Sequence, residues 1–243
     1  MNNSVTELQN FLYEKHKQVC RKLSADQPET NIIFKPDFDM HEAKYFISGM
    51  ENGLFSIDDE GYAQSHFLPM QPKGKKQRAI QLFWTGEGGS RRLFREGVCQ
   101  LSTASSLVLE YGWATEQVKM ESAEFPDLPY AIDILIKSME GKILACCEVK
   151  KDDREFQKLI KGFEDCCKRG PHSKEDCEYG ENHAKYAFCL SAKPALFWFV
   201  APGQEKIYKL SYQNGNVDHE TVAISMHKER VMEFLRINST DPE

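Results

Sequence analysis

Apolar residues at positions 8, 11, 12, 20 and 23 fall on one side of a helical wheel, and this spacing predicts an amphipathic helix over 8–22. A loop at Asp26–Thr30 and a short β-branched stretch at Asn31–Phe34 follow, and a second helix is expected over His41–Met50. Gly53, Gly61, Pro69, Pro72 and Gly74 then punctuate the chain. Residues 1–75 therefore read as a mixed α/β N-terminal region of unknown role. From Arg78 the texture changes: Ala79–Trp84 has the run of a strand, Gly86–Gly89 that of a turn, and Ser90 is placed to cap a helix extending to about Gly112.

Further on, Ala131–Ile136 and Ile143–Lys150 read as two strands joined tightly through Ser138-Met139-Glu140-Gly141, a hairpin. Asp152 and Asp153 open a helix on which Phe156, Leu159, Ile160 and Phe163 recur at helical spacing, and Gly170-Pro171 closes it. Residues 172–183 look like a polar loop. Tyr186–Ser191, Leu196–Val200 and Lys206–Tyr212 read as strands with turns at Pro202-Gly203 and Asn214-Gly215, and His227–Ile237 as a closing helix. A helix that follows a hairpin before strands resume implies an α/β class for 76–243, with a central mixed sheet flanked by helices.

At 243 residues, 41% hydrophobic and 28% charged, the chain can bury a real core, and disorder, collagen and coiled coil are excluded as descriptions of the whole. The longest apolar run, Ala195–Ala201, falls far short of the ~20 residues that cross a bilayer, so no membrane is expected as a partner. The first residues lack the basic and apolar regions of a signal peptide; the expected location is cytoplasmic, with the eight cysteines reduced. A net charge of −6 argues against a surface that binds polyanions all over. Locally the sign reverses: between Pro72 and Arg95 stand Lys73, Lys75, Lys76, Arg78, Arg91, Arg92 and Arg95 against Glu87 alone, a candidate strip for phosphate contacts.

The chemistry sits in the hairpin. Asp133 interrupts an isoleucine-rich strand, and Glu148 and Lys150, two apart, project from one face of the next while Val149 points the other way. With a four-residue loop, Met139–Lys142, Ser138 pairs with Ile143 and Asp133 lies opposite Glu148, their Cβ atoms about 5 Å apart. Two such carboxylates with an ammonium beside them suit a divalent cation that takes oxygen ligands, Mg²⁺ or Mn²⁺. A cation there would polarise a phosphodiester and activate water, with Lys150 holding the nucleophile or neutralising the transition state.

An apolar strand carrying one Asp, a glutamate 15 positions later in Glu148-Val149-Lys150, and a helix on each side together resemble the PD-(D/E)XK nuclease superfamily, the restriction-endonuclease-like fold, over roughly 80–200. Ile132 directly precedes Asp133, and Pro129 stands four positions before it. The resemblance implies a metal-dependent nuclease with Asp133 and Glu148 as metal ligands and Lys150 as the catalytic lysine. It also implies a further glutamate from the preceding helix, Glu96 in preference to Glu110. Lys158 and Lys161, three apart on the helix after the hairpin, join the basic strip as candidate phosphate contacts. The implied partner is nucleic acid, DNA in preference to RNA, with a homodimer open as the assembly. The alternative is a catalytically inactive domain of the same fold that binds nucleic acid or docks a protein.

Three other patterns stand outside the hairpin. Cys166, Cys167, His172, Cys177, His183 and Cys189 fall within 24 residues but contain no Cys-x-x-Cys pair, and buried free thiols account for them better than zinc does. Gly86-Glu87-Gly88-Gly89 lacks the lysine and spacing of a nucleotide-binding loop. Phe197, Trp198 and Phe199 read as strand core.

Overall fold

A computed structural model describes residues 4–23, 38–68, 79–85, 91–120, 132–177 and 180–238. The chain divides into two compact units, Met1–Ser106 and Leu107–Glu243.

In the first unit, α1 (Ser4–Leu23) and α2 (Met40–Glu51) bury the apolar stripes the spacing predicts: Leu8, Leu12 and Val19 on one, Ala43, Phe46 and Ile47 on the other. Asp39 caps α2 by accepting from the Glu42 amide. Strands β1 (Phe55–Ile57), β2 (Tyr62–Ser65) and β3 (Ala79–Gln81) form an antiparallel meander. The expected strand over Ala79–Trp84 is broken at Leu82, and β4 (Phe83–Thr85) pairs instead with β5 (Arg91–Leu93) in a two-stranded ribbon. This pairing also displaces the expected helix start at Ser90: α3 begins only at Arg95 and runs to Leu109. Gly49 lets α2 approach α3 closely, because a Cβ there would lie 2.2 Å from the Ser105 hydroxyl.

The second unit is built on a six-stranded sheet in the order β11-β10-β9-β8-β7-β6. The strands are β6 (Val118–Met120), β7 (Ile134–Lys137), β8 (Ile143–Val149), β9 (Leu196–Ala201), β10 (Gln204–Gln213) and β11 (Asn216–Thr221). All neighbours are antiparallel except β8 and β9, which run parallel, so the sheet is mixed. A parallel pair needs a crossover, and α4 (Asp153–Arg169) and α5 (Gly180–Ala192) supply it. Asp152 caps α4, whose Phe156, Leu159, Ile160 and Phe163 pack against Phe197 and Phe199 of β9 and Cys146 of β8. Burying each of these large side chains is worth about 1.5–3 kcal/mol, which holds α4 on the sheet far more firmly than its intrinsic propensity.

Residues 172–177 form the expected polar loop, but α5 takes in the end of its expected range and replaces the strand expected over 186–191. Tyr186, Phe188 and Leu190 alternate as in a strand, yet the buried set Asn182, Tyr186 and Cys189 follows helical spacing. The helix stops where Lys193 adopts a φ of +48° ahead of Pro194. α6 (Lys228–Asn238) closes the chain near the expected place, its first amide donating to the Tyr111 carbonyl, while the Trp113 indole donates to Met226. Among the described residues no helix is long and apolar enough to cross a membrane.

Candidate functional site

The hairpin β7–β8 carries two offsets that cancel. Gly141, at φ +86°, donates its amide to the Ser138 carbonyl, the Ser138 amide donates to the Lys142 carbonyl, and the Lys142 amide donates to the Ser138 hydroxyl, closing a three-residue loop in place of the expected four-residue one. That loop alone would set every pair one residue off. An irregularity between Ile136↔Ala145 and Lys137↔Ile143 leaves Leu144 as an extra residue on β8 and restores the frame. Beyond it Ile134 pairs with Cys147, and one further step brings Asp133 opposite Glu148.

Asp133 and Glu148 are tied reciprocally. The Asp133 amide donates to Glu148 Oε1 at 3.1 Å, and the Val149 amide donates to Asp133 Oδ2 at 2.8 Å. Both carboxylates are thus oriented by backbone groups at the end of β7, where the ladder gives way to side-chain acceptors. Glu148 is only 1% exposed and is the one charged residue on a strand buried along its whole length. Its face is that of Cys146, with Phe199 as its parallel partner on β9.

Two ammonium groups answer it. Lys150 Nζ lies 3.7 Å and Lys185 Nζ 3.1 Å from Glu148 Oε2, ion pairs that leave that oxygen without a well-angled hydrogen bond. Burial, reinforced by the Asp133 charge, pushes the Glu148 carboxyl up to about 7, and Lys185 and Lys150 pull the other way. Lys185 was not legible as a site residue, because the segment that carries it read as a loop running into a strand. Helical spacing of Asn182, Tyr186 and Cys189 is the signal that would have set it on a helix facing the sheet.

The other candidates divide. Glu96 is half-buried in the first turn of α3, in the N-terminal unit, and Glu110 is exposed just past the end of that helix. Lys158 and Lys161 are exposed on the solvent side of α4, three residues apart. Arg92 is exposed on β5. Arg95, expected in the phosphate strip, is instead locked inward: its guanidinium grips both oxygens of buried Glu42 and stands 4.5 Å over the Phe38 ring. Desolvation makes that bidentate pair costly to part, so Arg95 holds α3 to α2 and is not presented to a ligand. Lys73, Lys75, Lys76 and Arg78, with the side chain of Arg91 and the Gly86–Gly89 turn, lie outside the described residues.

Of the Cys/His group, Cys167 and Cys189 are buried in the core between α4, α5 and the sheet, as free thiols were expected to be. Cys166 and Cys177 are not simply core: they face each other across the α4–α5 loop, and His172 lies with them.

The Asp133 and Glu148 oxygens form a hard donor set of the kind Mg²⁺ or Mn²⁺ takes. With both acids and both lysines ionised, the four groups balance in charge. A divalent cation would leave an excess of two positive charges, which a phosphodiester and a hydroxide would offset. The donor chemistry therefore fits a cation that arrives together with a phosphate. Comparison with known proteins finds no family model that matches this chain and no match among curated proteins.

Proposed function

We propose that the chain is a metal-dependent nuclease of restriction-endonuclease-like fold that hydrolyses phosphodiester bonds, with DNA as the favoured substrate. One observation carries the reading: Asp133, Glu148 and Lys150 meet at the end of a buried strand, the two acids locked by backbone amides. A strand gains nothing in stability from a buried glutamate facing a second acid, and such arrangements cluster where chemistry is done. Asp133 and Glu148 would hold the cation, which supplies polarisation of the phosphate and an activated water. Glu148 must release its proton to serve, so its elevated midpoint sets the lower pH limit of activity. Lys150 is placed to orient the attacking water or meet charge on the phosphate, and Lys185 to keep Glu148 in position. Exposed Lys158 and Lys161 on the following helix offer backbone phosphate contacts.

The test is cleavage of plasmid and single-stranded DNA with Mg²⁺ or Mn²⁺. Asp133→Ala and Lys150→Ala should each lower the rate about 10²-fold or more. Cleavage that survives both substitutions removes these residues from the reaction. A second reading, an inactive domain of the same fold used for docking or nucleic-acid binding, draws support from the neutralisation of Glu148 by Lys185 and Lys150 alone. Absence of cleavage alongside retained DNA binding would favour it.

A further inference from the structure

We infer that Cys166, His172 and Cys177 form a structural zinc site that clamps the loop between α4 and α5. Cys166 lies in the last turn of α4, and His172 and Cys177 lie in the loop that leads to α5. The three ligand atoms fall within 4.8 Å of one another, and the two sulfurs are 3.4 Å apart. Tetrahedral zinc, with Zn–S near 2.3 Å, sets two thiolates about 3.8 Å apart, so small side-chain movements complete the geometry.

The histidine is the second, independent observation. Its Nδ1 lies 2.6 Å from the Gly170 carbonyl, an acceptor, so Nδ1 carries the proton and Nε2 presents a bare lone pair. That Nε2 is buried and has no hydrogen-bond partner. A buried, unpartnered imidazole nitrogen is costly, and a metal ion repays it. The backbone carbonyl on the far nitrogen is the usual outer support of a metal-bound histidine. His183 adds to it: its Nε2 lies 2.9 Å from the His172 carbonyl, its ring 4.9 Å from the His172 ring, with Tyr186 5.3 Å away. His183 is a positioning residue.

Sulfur and imidazole are the ligands of zinc and not of magnesium, which separates this site chemically from the carboxylate pair. Zinc takes cysteine as the thiolate. Binding then breaks two S–H bonds heterolytically, releases two protons to solvent and forms two Zn–S bonds and one Zn–N bond, with no change of oxidation state. The fourth position is left to water. The consequence reaches beyond the loop, because α5 carries Lys185 to Glu148. The inference itself stands whether or not the chain cleaves nucleic acid.

The test uses the full chain, reduced and stripped of metal, and titrated with Co²⁺ as a spectroscopic probe. The expected result is one equivalent bound, with visible d–d bands of a tetrahedral ion and a thiolate-to-cobalt charge-transfer band, bleached by Zn²⁺. About two protons are released per ion in weakly buffered solution. Cys177→Ser and His172→Ala should each weaken binding about 100-fold or more, whereas Cys20→Ser, a thiol in the other unit, should leave it unchanged. The wild-type spectrum decides even where a variant fails to fold: a folded chain that gives no thiolate-to-cobalt band overturns the site. So does a band that persists in both variants, or a Cys166–Cys177 disulfide with no metal in the protein purified under reductant.

Discussion

Glu148 supplies a quantitative test of the candidate site. In the unfolded chain its carboxyl titrates near the ordinary value of about 4.3, and in the folded protein at about 7, because it is desolvated beside Asp133. Between those limits the unfolded chain has lost the proton that the folded one retains, so stability falls by about 1.4 kcal/mol for each unit of rising pH. The contribution is complete well below pH ~4.3 and gone well above ~7, a total of roughly 4 kcal/mol. Glu148→Gln is neutral at every pH and serves as the reference. The urea-unfolding free energy of the wild type minus that of Glu148→Gln should therefore decline by about 3 kcal/mol from pH ~4.5 to ~7.5 and then level off. Carbon-13 NMR of the glutamate side-chain carboxyls should show one resonance with a midpoint near 7 that is absent from the variant. Mg²⁺ should draw that midpoint down, since the cation competes with the proton for the same oxygens. A Glu148 resonance that titrates near 4.5, or a flat difference in unfolding free energy, would refute the reasoning from burial and with it the poised carboxylate pair.

Lys185→Met removes the nearer of the two ammonium groups, so the Glu148 midpoint should rise further above 7 and the carboxyl resonance should show it directly. Arg95→Ala leaves Glu42 buried and unpaired and should destabilise the N-terminal unit by about 3–5 kcal/mol, while Arg92→Ala on exposed β5 should leave its thermal midpoint unchanged. Gly141→Ala forces a side chain onto a φ of +86° and should cost about 1–2 kcal/mol in chemical denaturation.

Amphipathic spacing and capping residues are local signals, and they located α1, α2, α4 and α6 to within a few residues. The opposition of Asp133 and Glu148 was legible because strand side chains repeat every two residues, although the structure reaches it through a shorter loop and a bulge. What failed depends on partners distant in sequence. Arg91–Leu93 is a strand because Phe83–Thr85 lies beside it, and nothing local opposes a helix start at Ser90. Tyr186–Ser191 alternates like a strand, and only packing against α4 and the sheet selects the helix. Lys185 was lost with that misreading. The meeting of Cys166, His172 and Cys177 depends on a loop path that the spacing of the residues does not encode.

The paired offsets of the β7–β8 hairpin constrain how this protein can vary. Leu144 is the residue without a partner, so deleting it alone would straighten β8 and leave Asp133 opposite Glu148, whereas one residue inserted between Ala145 and Glu148 would set Cys147 against Asp133 and turn the glutamate to the other face. The bulge should therefore tolerate loss of its one spare residue, while single-residue insertions between it and the glutamate should abolish function.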